Sequence, residues 1–173
     1  ADQLITAWNR TYNLPYVILR PTNNYGVGQY VEKLVPKSIK YLTLGKRIPL
    51  HNNGTPIRNW LHASDTAEAV IKIIEHGVKN EIYNICGGYE QSNFDTVDKI
   101  ITLYHGEDES LKTTFPYYDE EKNQFLDLSY SRQGQDVRYA LNDDKLRSLE
   151  WEPKAVFDKE LPAIVEYYKE NFI

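Results

Sequence analysis

Arg20-Pro21-Thr22-Asn23-Asn24-Tyr25-Gly26-Val27-Gly28-Gln29-Tyr30-Val31-Glu32-Lys33-Leu34-Val35-Pro36 decides the fold. The run before it, Tyr16-Val17-Ile18-Leu19, is apolar and rich in β-branched and aromatic residues, the composition of a short buried strand. After it the apolar residues fall at helical spacing. Strand, Asn/Gly-rich loop and helix is how an α/β protein sets polar groups at the carboxyl end of a sheet, where such folds bind ligands. Asn23 and Asn24 offer amide donors and acceptors, and Gly26 and Gly28 let the backbone approach a ligand closely. An ordinary turn is the alternative, since Asn and Gly favour turns for local reasons. Gly26-Val27-Gly28 also begins like a dinucleotide fingerprint, but Val31 stands where the third glycine belongs. No acidic residue closes a strand about 20 residues on. The phosphate loop of a Rossmann domain is therefore not here.

The chain has 173 residues, 41% hydrophobic and 26% charged, a globular composition with enough length for a core. Lys+Arg 20 against Asp+Glu 25 gives a net charge of −5, which argues against nucleic acid as the main partner. No apolar run approaches the ~20 residues of a membrane span. The single cysteine, Cys86, cannot close an internal disulfide, so a cytoplasmic setting is expected. No metal site is expected. The chain has no methionine and opens in mid-helix, with Leu4, Trp8 and Tyr12 at i, i+4 and i+8. That reads as a fragment.

Further along, a helix is expected from Glu32 to Leu44, with Pro36 in its first turn. Ile48-Pro49-Leu50-His51 reads as a short strand, Asn52-Asn53-Gly54-Thr55 as a turn, and Ile57–His62 as the return strand. Asp65-Thr66-Ala67-Glu68 has the pattern of a capping box, followed by an apolar stripe of Val70, Ile71 and Ile74. Ile82–Ile85 is a buried strand. Ser92-Asn93 opens a helix with Phe94, Val97, Ile101 and Tyr104 inward. Gly106–Lys122 is polar and irregular, an expected surface excursion. Phe125–Leu128 is an edge strand, and 144–149 and 158–168 are closing helices.

Several segments together resemble the dTDP-glucose 4,6-dehydratases, which belong to the extended short-chain dehydrogenases. They are Asn23-Asn24-Tyr25-Gly26, Glu32-Lys33-Leu34-Val35-Pro36, Arg58-Asn59-Trp60-Leu61 with Asp65, and Tyr83-Asn84-Ile85. Arg138-Tyr139-Ala140, Trp151-Glu152-Pro153 and Tyr167-Tyr168 extend the likeness almost end to end. The resemblance implies that the chain is the C-terminal half of such an enzyme. It implies an α/β fold, the end of a Rossmann-type parallel sheet interleaved with a smaller mixed α/β nucleotide-sugar-binding domain. Residues 1–21 and 56–77 would belong to the NAD-binding part, 22–55 and 78–148 to the sugar-nucleotide part, and 149–173 to closing helices.

By the same resemblance NAD is the cofactor, with Asn24 toward it. Asn23, Lys33, Leu34, Pro49, His51, Arg58, Asn93, Arg132 and Gln135 would contact the nucleotide sugar, dTDP-glucose. No catalytic residue is expected within the chain; the family's Tyr-x-x-x-Lys pair would lie just upstream of Ala1. The partners would be the missing Rossmann half and a second copy through the first helix, which leaves Trp8 either core or interface. Without the resemblance, Lys33 reads as a solvated lysine, Arg58 and Arg132 as surface arginines, and Asn93 as a helix cap. A guanidinium suits a diphosphate because its paired donors match phosphate oxygens and its charge does not titrate away. The family's loop Arg-Pro-Gly-His-Asp is here Arg132-Gln133-Gly134-Gln135-Asp136, and His51 stands where the family often has Tyr. Two other readings stay open: another nucleotide-sugar epimerase or decarboxylase, and a non-catalytic binding or dimerisation module.

Overall fold

The computed structural model describes residues 1–106 and 125–171. All of the expected excursion beyond Gly106 and up to Lys122 lies outside the described residues. In chain order the elements are α1 Asp2–Tyr12, β1 Val17–Pro21, β2 Asn23–Tyr25, α2 Leu34–Thr43, β3 Ile48–Pro49, a short 3₁₀ turn His51–Gly54, β4 Ile57–His62 and α3 Ala63–His76. They continue with β5 Glu81–Ile85, β6 Tyr89–Ser92, α4 Asn93–His105, β7 Leu126–Asp127, β8 Arg138–Tyr139, α5 Asp144–Arg147 and α6 Phe157–Asn171. Among the described residues three sheets form: β1 beside β5, β3 beside β7, and the order β2-β4-β6 with β8 on β4. The α/β class read from the sequence is the class observed.

Two compact units are assembled from separated stretches. The first takes Ala1–Asn24, Asn59–Tyr89 and Ala140–Ala155; the second takes the described residues of Tyr25–Arg58, Glu90–Tyr139 and Val156–Ile173. Residues 78–89 thus fall with the first unit, because β5 pairs in parallel with β1 from Val17↔Glu81 to Pro21↔Ile85.

The first unit is centred on Leu61, Ala69, Ile73, Tyr83, Ile85, Leu146 and Trp151. Its helix α1 ends as expected, with Asn13 in the left-handed region at φ 53, but none of its residues is buried. Leu4, Trp8 and Tyr12 are exposed rather than core. In α3 the buried face is Asp65, Ala69 and Ile73, and the expected inward residues Ile71 and Ile74 are exposed. The helix also starts before the proposed capping box. His62 caps it, its ring accepting from the Ser64 amide at 3.3 Å. Asp65 is thereby released from capping, and its two carboxylate oxygens accept the Lys154 and Ala155 amides, each at 3.1 Å. A single buried carboxylate ties the 140–155 stretch to α3.

In the second unit α2, α4 and α6 pack on one another. They bury Val35, Ile39 and Leu42 from α2, Val97, Ile100 and Ile101 from α4, and Leu161, Ile164 and Val165 from α6. Helix α2 starts at Leu34, two residues later than expected, with Lys33 at its N-cap. Strands β3 and β4 do not form the hairpin that the Asn-Asn-Gly turn suggested: β3 pairs in parallel with β7, and β4 with β8. Among the described residues no group of His, Cys, Asp or Glu is placed to hold a metal, and no helix is long and apolar enough to cross a membrane.

Replacing Asp65 with Ala leaves the part-buried Lys154 and Ala155 amides without their acceptor, a loss of about 1–3 kcal/mol, since neither amide is fully removed from water. Asp65→Asn keeps one acceptor oxygen and loses less. Urea unfolding of the three proteins checks the order wild type, Asn, Ala.

Candidate functional site

Eight of the ten sequence-derived site residues, Lys33, Leu34, Pro49, His51, Arg58, Asn93, Arg132 and Gln135, fall in the second unit, whereas Asn23 and Asn24 fall in the first. The second unit brings most of its eight together through one arrangement. Residues 48–58 and 125–139 run side by side in the same direction. At one end Ile48 pairs with Leu126 and Pro49 with Asp127; at the other Ile57 pairs with Arg138 and Arg58 with Tyr139. Nine residue steps lead from Ile48 to Ile57, but twelve lead from Leu126 to Arg138, so the second segment has three residues of slack. That slack forms the loop carrying Arg132 and Gln135, opposite the turn carrying His51.

The turn is built by three consecutive left-handed residues, Asn52 (φ 51), Asn53 (φ 54) and Gly54 (φ 70). Asn tolerates this region and Gly adopts it without penalty. Gly54 has a second reason to lack a side chain: a Cβ there would lie 2.8 Å from the Cβ of Phe94. The turn is therefore seated on the start of α4, where the Asn93 amide donates to the Pro56 carbonyl at 3.0 Å. Ser92, not Asn93, caps this helix, its hydroxyl accepting from the Asp95 amide at 2.9 Å.

Among the described residues Arg58 is in no ion pair. Its Nη1 donates to the carbonyls of Ile57 at 2.8 Å and Asp136 at 3.0 Å, which holds the guanidinium at the seam of the two segments. The neighbouring Arg138 takes the carboxylate instead: Nε and Nη2 embrace Glu90, with Nη2–Oε2 2.8 Å. That carboxylate holds the Arg138 guanidinium more firmly charged than usual. Arg132 and Lys33 are exposed, and their charged groups make no ion pair among the described residues. His51 stands edge-on to Tyr130, ring centres 5.7 Å apart, and its Nδ1 is buried without a partner among the described residues. Pro49 is half-buried in β3 and Leu34 half-buried at the start of α2.

Sequence reasoning missed Asn52, which read only as a turn former. Its side-chain Oδ1 accepts from the Arg132 amide at 2.9 Å and the Ser131 hydroxyl at 3.3 Å. Its Nδ2 donates to the Arg132 carbonyl and to Gln135 Oε1, both at 3.1 Å. Gln135 is thus turned toward Asn52. No local pattern could have announced a pairing between residues about 80 positions apart.

In the first unit Asn24 is oriented from two sides. Its Nδ2 donates to the Thr22 carbonyl at 3.1 Å, and its Oδ1 accepts the Thr66 hydroxyl at 2.6 Å. Asn23 begins β2, half-buried. The strand containing both asparagines was expected as loop. Gly26 and Gly28 have positive φ, and α2 begins only at Leu34. No helix N-terminus follows the glycines, so they do not make a dinucleotide phosphate cradle. Asn24, the residue expected to face NAD, has its carboxamide held by bonds within the first unit.

Residues 1–86 match the model of the NAD dependent epimerase/dehydratase family. A dTDP-glucose 4,6-dehydratase of Haemophilus influenzae is 34% identical over 172 residues, covering 99% of this chain and 50% of its own length. The low-salt glycan biosynthesis protein Agl12 of Haloferax volcanii is 34% identical over 97% of this chain and 49% of its own. Among solved structures, the dTDP-glucose 4,6-dehydratase DesIV of Streptomyces venezuelae, with NAD and TYD bound, superposes with a TM-score of 0.82 at 32% identity. The match covers 98% of this chain and 48% of that one. The chain thus spans about half the length of the relatives it matches. The narrower expectation of a C-terminal half is not borne out by these matches, and the family model lies on the first half of this chain, residues 1–86.

Gly54→Ala combines a left-handed φ with the contact to Phe94, and should cost about 2 kcal/mol or more. A thermal melt checks the loss. Gly28→Ala, also at positive φ but with open space around it, should cost less.

Proposed function

We propose, from the match of residues 1–86 to the NAD dependent epimerase/dehydratase family and the likeness to its dehydratases, that the chain belongs to this family and forms the nucleotide-sugar-binding wall of a dTDP-glucose 4,6-dehydratase. That lyase converts dTDP-glucose to dTDP-4-keto-6-deoxyglucose and water, with NAD as cofactor. The observation that carries this reading is the parallel run of residues 48–58 and 125–139, which brings Pro49, His51 and Arg58 alongside Arg132 and Gln135. Two arginines at one seam, neither engaged with a carboxylate among the described residues, suit the two phosphates of a nucleoside diphosphate. The dehydratase names of relatives matching nearly the whole chain support the same substrate class.

In this reading Arg132 and Lys33 meet the diphosphate, Arg58 supports it from the seam, and His51 with Tyr130 presents flat and edge surfaces to the base. Leu34, Pro49 and Asn93 complete the wall, and Asn23 is read as a separate contact to the nucleotide sugar. Gln135 serves through Asn52. NAD, when bound, supplies reversible hydride transfer. Asn24, held by Thr22 and Thr66, presents its amide to the cofactor in one orientation. No residue of the chain is assigned a proton-transfer step. Their contribution is to anchor the remote nucleotide, so that its binding energy fixes the sugar in place. The chain alone should therefore bind without turnover. The exposed stripe Leu4, Trp8 and Tyr12 of α1 supports a homodimer through that helix.

Calorimetry with dTDP checks the wall. Arg132→Lys should weaken binding about tenfold, since hydrogen bonds between charged groups contribute about 1.5–3 kcal/mol and lysine offers no paired donors. Arg58→Lys should also weaken it. Unchanged affinity in both variants contradicts the assignment, as does formation of a 4-keto product by the chain incubated with NAD and dTDP-glucose.

A further inference from the structure

We propose that Asn52 is the positioning residue for Arg132, the residue that sets how the 131–135 loop presents its guanidinium to a diphosphate; this rests on the function proposed above. Between the paired ends at Pro49–Asp127 and Ile57–Arg138 there is no strand ladder to hold the second segment. Its three residues of slack could settle in many ways. The hydrogen bonds that join Tyr130–Gln135 to the first segment all go to one residue. The Asn52 amide donates to the Tyr130 carbonyl at 2.9 Å. The Asn52 side chain takes Ser131, both backbone groups of Arg132, and Gln135.

Only one side chain satisfies all four of these partners. A carboxamide has two donor hydrogens and two acceptor lone pairs, and here both kinds are used twice. The backbone at φ 51 admits Asn at little cost. Glycine would keep the turn and lose all four side-chain bonds. Aspartate would keep the acceptor pair and lose both donors. Because Asn52 grips the amide and the carbonyl of Arg132 together, it fixes the peptide planes on either side of that Cα. The direction of the side chain follows from them. The Arg132 guanidinium itself makes no ion pair among the described residues, so its aim depends on this backbone grip.

The test is a double-mutant cycle on dTDP affinity with the full chain, read by calorimetry alongside a thermal melt. Asn52→Gly should lower affinity about tenfold. In the Arg132→Lys background it should change affinity less than about twofold, because the group it aims is already gone. Asn52→Asp, the variant to use should glycine fail to fold, should lose about threefold in the wild-type background, between the two limits. An Asn52→Gly or Asn52→Asp protein that binds dTDP as tightly as wild type overturns the positioning role and leaves the proposed function standing. Equal losses in both backgrounds also overturn it, since they mark a general structural effect. A wild-type chain that does not bind dTDP removes the proposed function, and this role with it.

Discussion

Two stretches of chain nearly 80 residues apart are held in parallel without a continuous ladder between them. Short two-residue pairings close each end, and a left-handed turn fills the interval on one side while a loop with surplus length fills the other. Two-residue pairings contribute few backbone bonds, so side chains must supply the rest. Arg58 does so at one end through the Asp136 carbonyl, Arg47 at the other through the Leu126 carbonyl at 2.6 Å, and Asn52 in the middle. Each of these bonds joins a side chain of residues 47–58 to the second segment. Five of the positions expected from the sequence as substrate contacts, Pro49, His51, Arg58, Arg132 and Gln135, lie on the two segments of this seam.

The seam also rests on packing beneath it. Gly54 lies against Phe94 with no room for a methyl group, and α4 lies in turn against α2 and α6. In the first unit a comparable role falls to a small polar knot: the Thr22 hydroxyl and the Gly87 amide both donate to Asn59 Oδ1, at 3.2 and 3.0 Å. Gly87 admits no side chain there, since a Cβ would fall 1.7 Å from the Trp60 carbonyl oxygen. Thr22 belongs to this knot and also anchors Asn24, which links the buried polar core to the amide proposed to face the cofactor. Asp127 shows the same reliance on local bonds: Ser129 donates to its carboxylate from both hydroxyl and amide, which holds the carboxyl below its ordinary pKa.

Local patterns revealed what local physics decides. β4 runs from Ile57 to His62 with the bounds expected for a strand there, Asn13 ends α1 in the left-handed region, and the Asn-Asn-Gly run is a turn with positive φ. Pairing partners were not legible. The turn between β3 and β4 has the composition of a hairpin, yet β3 pairs with β7, whose sequence gives no sign of its partner. The start of α3 was displaced because Asp65 has the chemistry of a cap, and only the fold reveals that its oxygens serve the 154–155 amides. The apolar stripe of α1 has the periodicity of a buried face, but periodicity does not say what covers it. Of the candidate site, the charged and amide residues were proposed through the family resemblance, while Asn52 was visible only as a turn former. Its function depends on a contact that no spacing encodes.

Backbone amide NMR of the chain titrated with dTDP tests the central claim most directly. Shifts concentrated in residues 49–58 and 130–136, with further shifts at Lys33, Leu34 and Asn93, are the result this account predicts. Saturable shifts that leave both segments of the seam unmoved, or that fall on the first unit alone, would contradict it.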